Sequence, residues 1–543
     1  INVIKISMKE YNNYMPLKSP FIPLEKRERG DFRSYLANFA STLKLAESKT
    51  FYFLLLCSLF ILTVFTNSVL ASVNEPLINN GWVYYALTKL EANGVIKPMF
   101  ASAKPYEREE IANIISDAKA NIEKGIIKPK PYELNLIKKL ADEFLGGSDK
   151  PQMRLLTSAE GGNNSKESLS FWGSASYQPT DYLTLYEEVD VRRGRNIKGT
   201  EGTTASQRLN KWKWDYTADF QKAYLRFHHK NLSGLLGRQT IFWGPGYDGS
   251  LIISDNSPSF DMIMVQGDFW YFKFTSFSAT LDKMWGEHYD PQYRFLANRY
   301  LSGHRIDWLV NNKVELGLSE TVLYAGEAQY MELQYINPIL PYYANQYNSN
   351  LDNNSLVSFD VAFKPVRGYK TYVQFIVDDF AYAGNDPNAL GYIAGLYISD
   401  PFGISKTDLR TEYTRIDSWT YTHLESENQY THYGWVIGDH LGPDADQMLI
   451  ELCRMLNIDA RIKLVYAFKR EGSRTIADRY RGEDYKKIKF PSGKVERQHR
   501  LGFSFLWETL DGLQIDLSLQ RSFNSDKSSE NELSFKLGYL LRK

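Results

Sequence analysis

Residues 237–256, GRQTIFWGPGYDGSLIISDN, set an arginine, a tryptophan and a Gly-Pro-Gly corner beside a run of Asp, Ser and Asn. Proline fixes one φ and glycine frees its neighbours, so Gly244-Pro245-Gly246 makes a stiff corner that a ligand or another backbone can approach closely. Trp243 offers a flat face, and Arg238, Asp248, Asp255 and Asn256 offer bidentate donors and acceptors. That combination suits a pyranose, which has an apolar C–H face and a fringe of hydroxyls. It also suits an internal latch, with Trp243 packed against a wall and Arg238 paired with a carboxylate. The residues alone leave both readings open. A second polar stretch, YYANQYNSNLDNNS at 342–355, places Tyr342, Tyr343 and Tyr347 beside Asn345, Gln346, Asn348, Asn350, Asn353 and Asn354, and reads as a sugar-gripping loop or as ordinary loop chemistry.

Catalysis has one candidate set. Asp378-Asp379 and Asp439-His440 would supply two carboxylates around a water and an Asp-oriented imidazole. Their other reading is a strand end and a solvated loop. The chain holds no Gly-x-Ser-x-Gly elbow, phosphate-binding loop or His-Glu-x-x-His. Its eight histidines have no metal-ligand spacing. No catalytic residue, metal or cofactor is therefore expected. Acidic and basic residues balance at 64 each with no basic stripe, so no nucleic-acid partner is expected either.

The elements that must position these groups are strands. From about residue 151 the pattern has period two. In LQIDLSLQ, Leu513, Ile515, Leu517 and Leu519 alternate with Gln514, Asp516, Ser518 and Gln520; in VSFDVAF, Val357, Phe359, Val361 and Phe363 alternate with Ser358, Asp360 and Ala362. Two closed arrangements accept such strands: a soluble sandwich or barrel with the apolar face inside, or a membrane barrel with it outside. The mean hydropathy of −0.40 suits either. Cys453, in DQMLIELCRML, is placed on a strand rather than on an amphipathic helix.

Residues 51–71, FYFLLLCSLFILTVFTNSVLA, favour the membrane barrel. An apolar run of about 15 residues follows Lys44 and Lys49 and ends in Val69-Leu70-Ala71, the pattern of a cleaved secretory signal rather than of a helix that spans a bilayer. Residues 1–71 are thus expected to be leader and signal peptide, with one cysteine and no internal disulfide beyond them. Residues 72–150 read as a helical plug domain: WVYYALTKLEANG, EREEIANIISDAKANIEKG and PYELNLIKKLADEFLGG carry helical periodicity with Gly stops. Residues 151–543 are expected to form an all-β transmembrane β-barrel of about 18 antiparallel strands, although the chain closes on Tyr539-Leu-Leu-Arg-Lys543 without the usual terminal aromatic.

Two resemblances follow from these residues. Trp82, Leu87, Leu90, Gly94 and Arg108-Glu109 resemble a single surface-layer-homology repeat, with KPMFASAKPY in place of its Gly-rich middle; that implies a cell-wall polymer as a partner of residues 76–145. More broadly, residues 76–543 resemble the capsule-assembly (Wzi-type) outer-membrane family. The blocks that carry it are GRQTIFWGPGYDGSLIISDNSP, ELQYINPILPYYANQ with Asn337 and Gln346, DNNSLVSFDVAF with Asp352 and Asn353, VQFIVDDF with Asp378 and Asp379, and GDHLGPDAD. The resemblance implies an outer-membrane lectin, a monomer in contact with outer-membrane lipid, that holds capsular or extracellular polysaccharide without changing it. Taken with the corner and the loop, the residues marked for polysaccharide binding or as family motif are Arg238, Trp243, Gly244, Pro245, Gly246, Asp255, Asn256, Asn337, Asn345, Gln346, Asp352, Asn353, Asp378 and Asp379. Rival expectations are a passive diffusion porin and a tether that grips wall polymer through its helices.

Overall fold

A computed structural model describes residues 81–145, 152–160, 168–193, 216–287, 294–349, 352–379, 387–480, 482, 488–510, 512–525, 528–539 and 541–542. The expected leader and signal peptide lie outside the described residues. Three helices come first: α1 (Trp82–Ala92), α2 (Arg108–Glu123) and α3 (Pro131–Phe144). Glu109 and Glu110 sit in the first turn of α2, where they complement the helix dipole. Pro131 opens α3, and the Glu133 side chain accepts the Lys130 backbone N–H at 2.6 Å. Leu87, Leu90, Ile111, Ile115, Leu136 and Leu140 bury one shared apolar core.

The rest of the chain is dominated by one large antiparallel sheet running from the strand Gln152–Glu160 to the strand Ser529–Tyr539. Each long strand is hydrogen-bonded to its neighbour in sequence. The opening strand also meets the end of the chain, Arg154 opposite Arg542 and Leu155 opposite Leu541. Cys453 lies on the strand Ala445–Met455. Among the described residues, no helix is long and apolar enough to cross a membrane.

The polarity of this sheet is inverted relative to a soluble core. On the strand Val314–Gly326, Leu318 is exposed while Glu315 and Ser319 are buried; on Asn354–Phe363, Phe359 and Phe363 are exposed while Ser358 and Asp360 are buried. Leu225, Ile263, Val265, Val373, Leu452, Leu464, Leu501 and Leu519 extend the exposed apolar face around the sheet. So much contiguous apolar surface marks contact with another apolar phase. The opposite face carries paired charges: Lys222 with Glu188 at 3.1 Å, and Arg305 with Asp307 at 2.6 Å and Asp360 at 2.8 Å, all buried. Buried charges persist only when paired in this way.

The two ends of the strands differ. At one end the connections are short turns such as Asn311–Val314, Phe269–Phe272 and Phe363–Tyr369. Outward aromatics collect there: Phe272 stacks on Trp308 at 5.6 Å, and Trp270 and Phe402 are each 95% exposed. Such a belt marks a lipid–water boundary. The other end carries long connections, among them 240–259, 327–353 and 417–444. The first and third fold onto the polar side of the sheet, where Trp243, Leu251, Ile252, Ile253, Tyr421, Tyr430 and Ile437 bury a second core.

Candidate functional site

The helices dock at the short-turn end through buried ion pairs. Lys89, fully buried, reaches Asp408 at 2.6 Å and Asp400 at 3.3 Å, and Tyr132 donates its hydroxyl to Asp400 at 2.6 Å. Glu91 bridges Lys364 at 3.0 Å and Lys370 at 2.9 Å. Burial alone would raise the Glu91 carboxyl, but the Lys370 and Lys364 ammonium groups outweigh it and hold it at about 2. Arg226 pairs with Glu107, and Lys273 with Glu110 at 3.4 Å. Within the helical unit, the surface-layer-like residues serve its own packing. Leu87 and Leu90 are in its core, Arg108 pairs with Glu143 at 3.3 Å, and the Lys139 ammonium lies 4.5 Å from the Trp82 ring centre.

The Trp-Gly-Pro-Gly corner meets the segment that joins α1 to α2. Phe242–Trp243 pairs antiparallel with Ala103–Lys104, and the Gly244 N–H donates to the Ser102 carbonyl at 2.7 Å. Trp243 is buried edge-on against Phe277 at 5.3 Å. Its carbonyl accepts from the Ser250 hydroxyl and from Gln374 Nε2 at 3.1 Å. Gly244 adopts φ 140, a region closed to most side chains, and a Cβ there would press on Gln374. Asn256 donates from Nδ2 to the Val436 carbonyl at 2.9 Å. The corner therefore makes the contacts of a latch between helices, sheet and inner loops.

Behind the corner lies a chamber of about 550 Å³, bounded by Tyr84, Tyr85 and Tyr106 of the helical unit, by Phe242, Pro245, Gly246, Tyr247 and Asp255, and by polar residues of the strands from 407 to 534. Tyr247 is one of its lining residues. Glu412 accepts the N–H groups of Tyr247 at 2.7 Å and Asp248 at 2.9 Å and the Tyr372 hydroxyl at 2.7 Å, which pins the loop. The Tyr247 hydroxyl donates to Glu451 at 2.6 Å, Lys463 Nζ lies 3.2 Å from it, and the Arg410 guanidinium sits 3.5 Å from the ring centre. Burial raises the Tyr247 phenol, with the Lys463 charge opposing. Burial and the neighbouring Lys370 charge lower the Lys104 ammonium to about 8, against the pull of Asp255. Sequence reasoning passed over Tyr247, Arg410, Glu451 and Lys463. The signal for the last three was the inward register of three adjacent strands, which needs their pairing to be known.

A second gathering of the marked residues lies at the long-connection end. The connection 327–353 contains two short helices, α4 (Leu333–Ile336) and α5 (Tyr342–Ser349). Asn345 donates to Gln334 at 3.1 Å, Gln346 donates to the Asn353 carbonyl at 2.6 Å, and Asn353 donates to the Tyr335 hydroxyl at 2.6 Å. Asn337 is exposed and accepts the Ile339 N–H at 3.1 Å. Asp352 is exposed, 3.6 Å from His423. Arg238 joins neither group. It lies on the outward face beside Leu236 and makes a two-pronged pair with Asp261, at 2.8 and 2.6 Å.

The carboxylates considered for catalysis are held apart. Asp378 accepts the Tyr421 N–H at 2.5 Å, whereas the Asp439 N–H donates to the Tyr421 hydroxyl at 3.3 Å, so this one tyrosine stands between them. Asp379 is exposed at the end of its strand. His440 lies 3.3 Å from Asp439 and 3.6 Å from Asp248. Among the described residues, no group of three or more His, Cys, Asp or Glu could hold a metal.

No curated protein matches the chain in sequence. Among solved structures, Wzi of Escherichia coli is similar over 86% of this chain and 99% of its own, at 17% identity and a TM-score of 0.59. It is described as an outer membrane protein involved in group 1 capsule assembly and as a carbohydrate-binding β-barrel. OccD3 of Pseudomonas aeruginosa is similar over 72% of this chain and 91% of its own, at 11% identity and a TM-score of 0.44. The inverted sheet and its likeness to the Wzi structure give the chain the fold of an outer-membrane β-barrel. The model of the capsule assembly protein Wzi family matches residues 150–533, and the chain belongs to that family.

Proposed function

We propose that the protein retains capsular or extracellular polysaccharide at the outer face of the outer membrane without changing it chemically. Family membership over residues 150–533 carries this reading. The long strands close into a single barrel of about eighteen, a reading supported by the two residue pairs that join its first strand to the end of the chain. The helices fill the end with short turns, which faces the periplasm, and the long connections face outward. At that outer end the exposed Asn337 and Asp352 and the half-buried Asn345 and Asn353 make weak contacts to sugar hydroxyls, and repetition along one polymer supplies avidity. The Trp243 corner and Asp378 act as supports behind them. The same holding role needs no nucleophile or activated water, and the separation of Asp378 from Asp439 by Tyr421 agrees with that.

The test is retention. In a strain lacking the gene, cell-associated polysaccharide should fall and shed polysaccharide rise by the same amount, and the wild-type chain should restore the balance. The variant Asn337→Ala/Asn345→Ala/Asp352→Ala should fail to restore it while reaching the outer membrane at wild-type level. Tyr247→Ala, in the inner chamber, should restore it. Unchanged retention in the deletion strain would refute the function, and retention lost only in Tyr247→Ala would move the site to the chamber.

A further inference from the structure

The connection 327–353 does not cap the barrel mouth; it folds back over the outside of the wall. Register fixes this. Tyr300, Ser302, His304, Ile306 and Trp308 share one face of their strand, and they pair with Tyr324, Val322, Glu320, Leu318 and Leu316 on the next. Ile306, Trp308 and Leu318 are exposed and apolar, so this is the outward face. Farther along the same face, Ser302, Val322 and Tyr324 are buried, and α4 and α5 bury them: Val322 and Tyr324 pack with Tyr335 and Tyr342, and Ser278, outward on the adjoining strand, donates to the Tyr335 carbonyl at 3.3 Å. Glu320 reaches outward to accept the N–H groups of Tyr342 at 2.9 Å and Tyr343 at 2.6 Å, and His304 lies 3.1 Å from it. The outer surface of this hairpin is apolar, with Tyr330 71%, Leu333 83% and Ile339 82% exposed.

We propose that this hairpin is a lipid-binding element, with Tyr330, Leu333 and Ile339 seated among the acyl chains where the outer leaflet meets water. This rests on the outer-membrane reading above. Two observations select lipid. The patch lies on the same outward side of the sheet as the exposed Ile306, Leu318 and Phe359. Its depth also fits: from Trp308 in the aromatic belt to Tyr300 is eight residues, about 20 Å along the membrane normal for tilted strands, against an apolar band of about 25 Å. The hairpin thus lies in the last few ångströms of hydrocarbon and the headgroup layer, where amphipathic helices settle. It shields Ser278, Ser302, His304 and Glu320 from hydrocarbon and places Asn345 and Asp352 directly above the lipid surface.

The test uses the full chain, with its native Cys57 and Cys453 replaced by alanine, in phosphatidylcholine vesicles with single cysteines, Leu333→Cys and Ile339→Cys, each carrying a bimane fluorophore, and Leu464→Cys in the middle of the apolar band as control. Nitroxide lipids labelled near the headgroup should quench positions 333 and 339 at least about twofold more than lipids labelled near the chain end, with the reverse order at 464. Quenching of 333 and 339 by aqueous iodide but by neither lipid would overturn the proposal. Protection from iodide and from both lipids would overturn it in favour of contact with a second copy. Failure of quenching at 464 as well would instead sink the barrel reading on which it rests.

Discussion

Glu91 is the point at which the helical unit depends most clearly on the sheet. Its carboxylate receives Lys370 at 2.9 Å, Lys364 at 3.0 Å and the Met99 N–H at 3.2 Å, and is only 5% exposed. The drop from the ordinary 4.5 to about 2 corresponds to about 3 kcal/mol of preferential stabilisation of the ionised form. Glu91→Gln keeps the shape but leaves two ammonium groups facing a neutral amide. At pH 7 the amides of α1 should then exchange with solvent on the order of 100-fold faster, as 3 kcal/mol implies, while the sheet keeps its protection. Because the folded value is depressed, the stabilisation is fully present above pH 4.5 and is lost as pH falls towards 2. The gap in α1 protection between wild type and Glu91→Gln should therefore be constant from pH 8 to about 5 and close between about 4.5 and 2. Hydrogen exchange read by mass spectrometry, in detergent and at several salt concentrations, measures this directly. A gap under threefold at pH 7, or one that persists unchanged at pH 2, would refute the reasoning.

Other substitutions test other contacts. In Gly246→Ala the new Cβ would overlap the Gly249 carbonyl oxygen, so the corner cannot form, and the compact species of an unheated gel sample should be lost; a wild-type gel pattern would show that the corner is dispensable. Arg305→Met should destabilise the barrel by about 3–5 kcal/mol in urea titrations by leaving Asp307 and Asp360 buried without their partner, and a midpoint within error of wild type would contradict this. Planar bilayers address the porin alternative: the intact chain should pass little current, whereas deletion of residues 81–145 should open a conductance, and a wild-type chain that conducts freely would show that the interior is not blocked.

Much of this architecture was legible in the sequence because strand patterns are local. The alternation of Ile515, Leu517 and Leu519 with Asp516, Ser518 and Gln520 follows from the geometry of one strand, as does the helical spacing of Ile111, Ile115 and Ala118. What alternation cannot reveal is which side faces what. Arg238 looked like a partner for Trp243 because the two are five residues apart, yet Trp243 is buried among the inner loops while Arg238 points outward with Leu236. Tyr247 was inconspicuous because Glu412, Arg410, Glu451 and Lys463 come from strands far along the chain. The tyrosines of 342–355 read equally as a sugar-gripping loop or as ordinary loop chemistry, and nothing in their spacing indicated that Tyr342 would be buried against Tyr335 and Val322 on the outside of the wall.

The sequence by itself determined the periodic elements and their two-sided polarity, since each depends on bond geometry within a few residues. Only the tertiary structure decided which marked residues converge, that the Trp-Gly-Pro-Gly corner pairs with Ala103–Lys104, and that one surface connection lies over the apolar wall. Those outcomes depend on strand register and on charge pairs between residues hundreds of positions apart. They become favourable only once strand pairing has brought the partners together, because the chain entropy of bringing them together is then already spent.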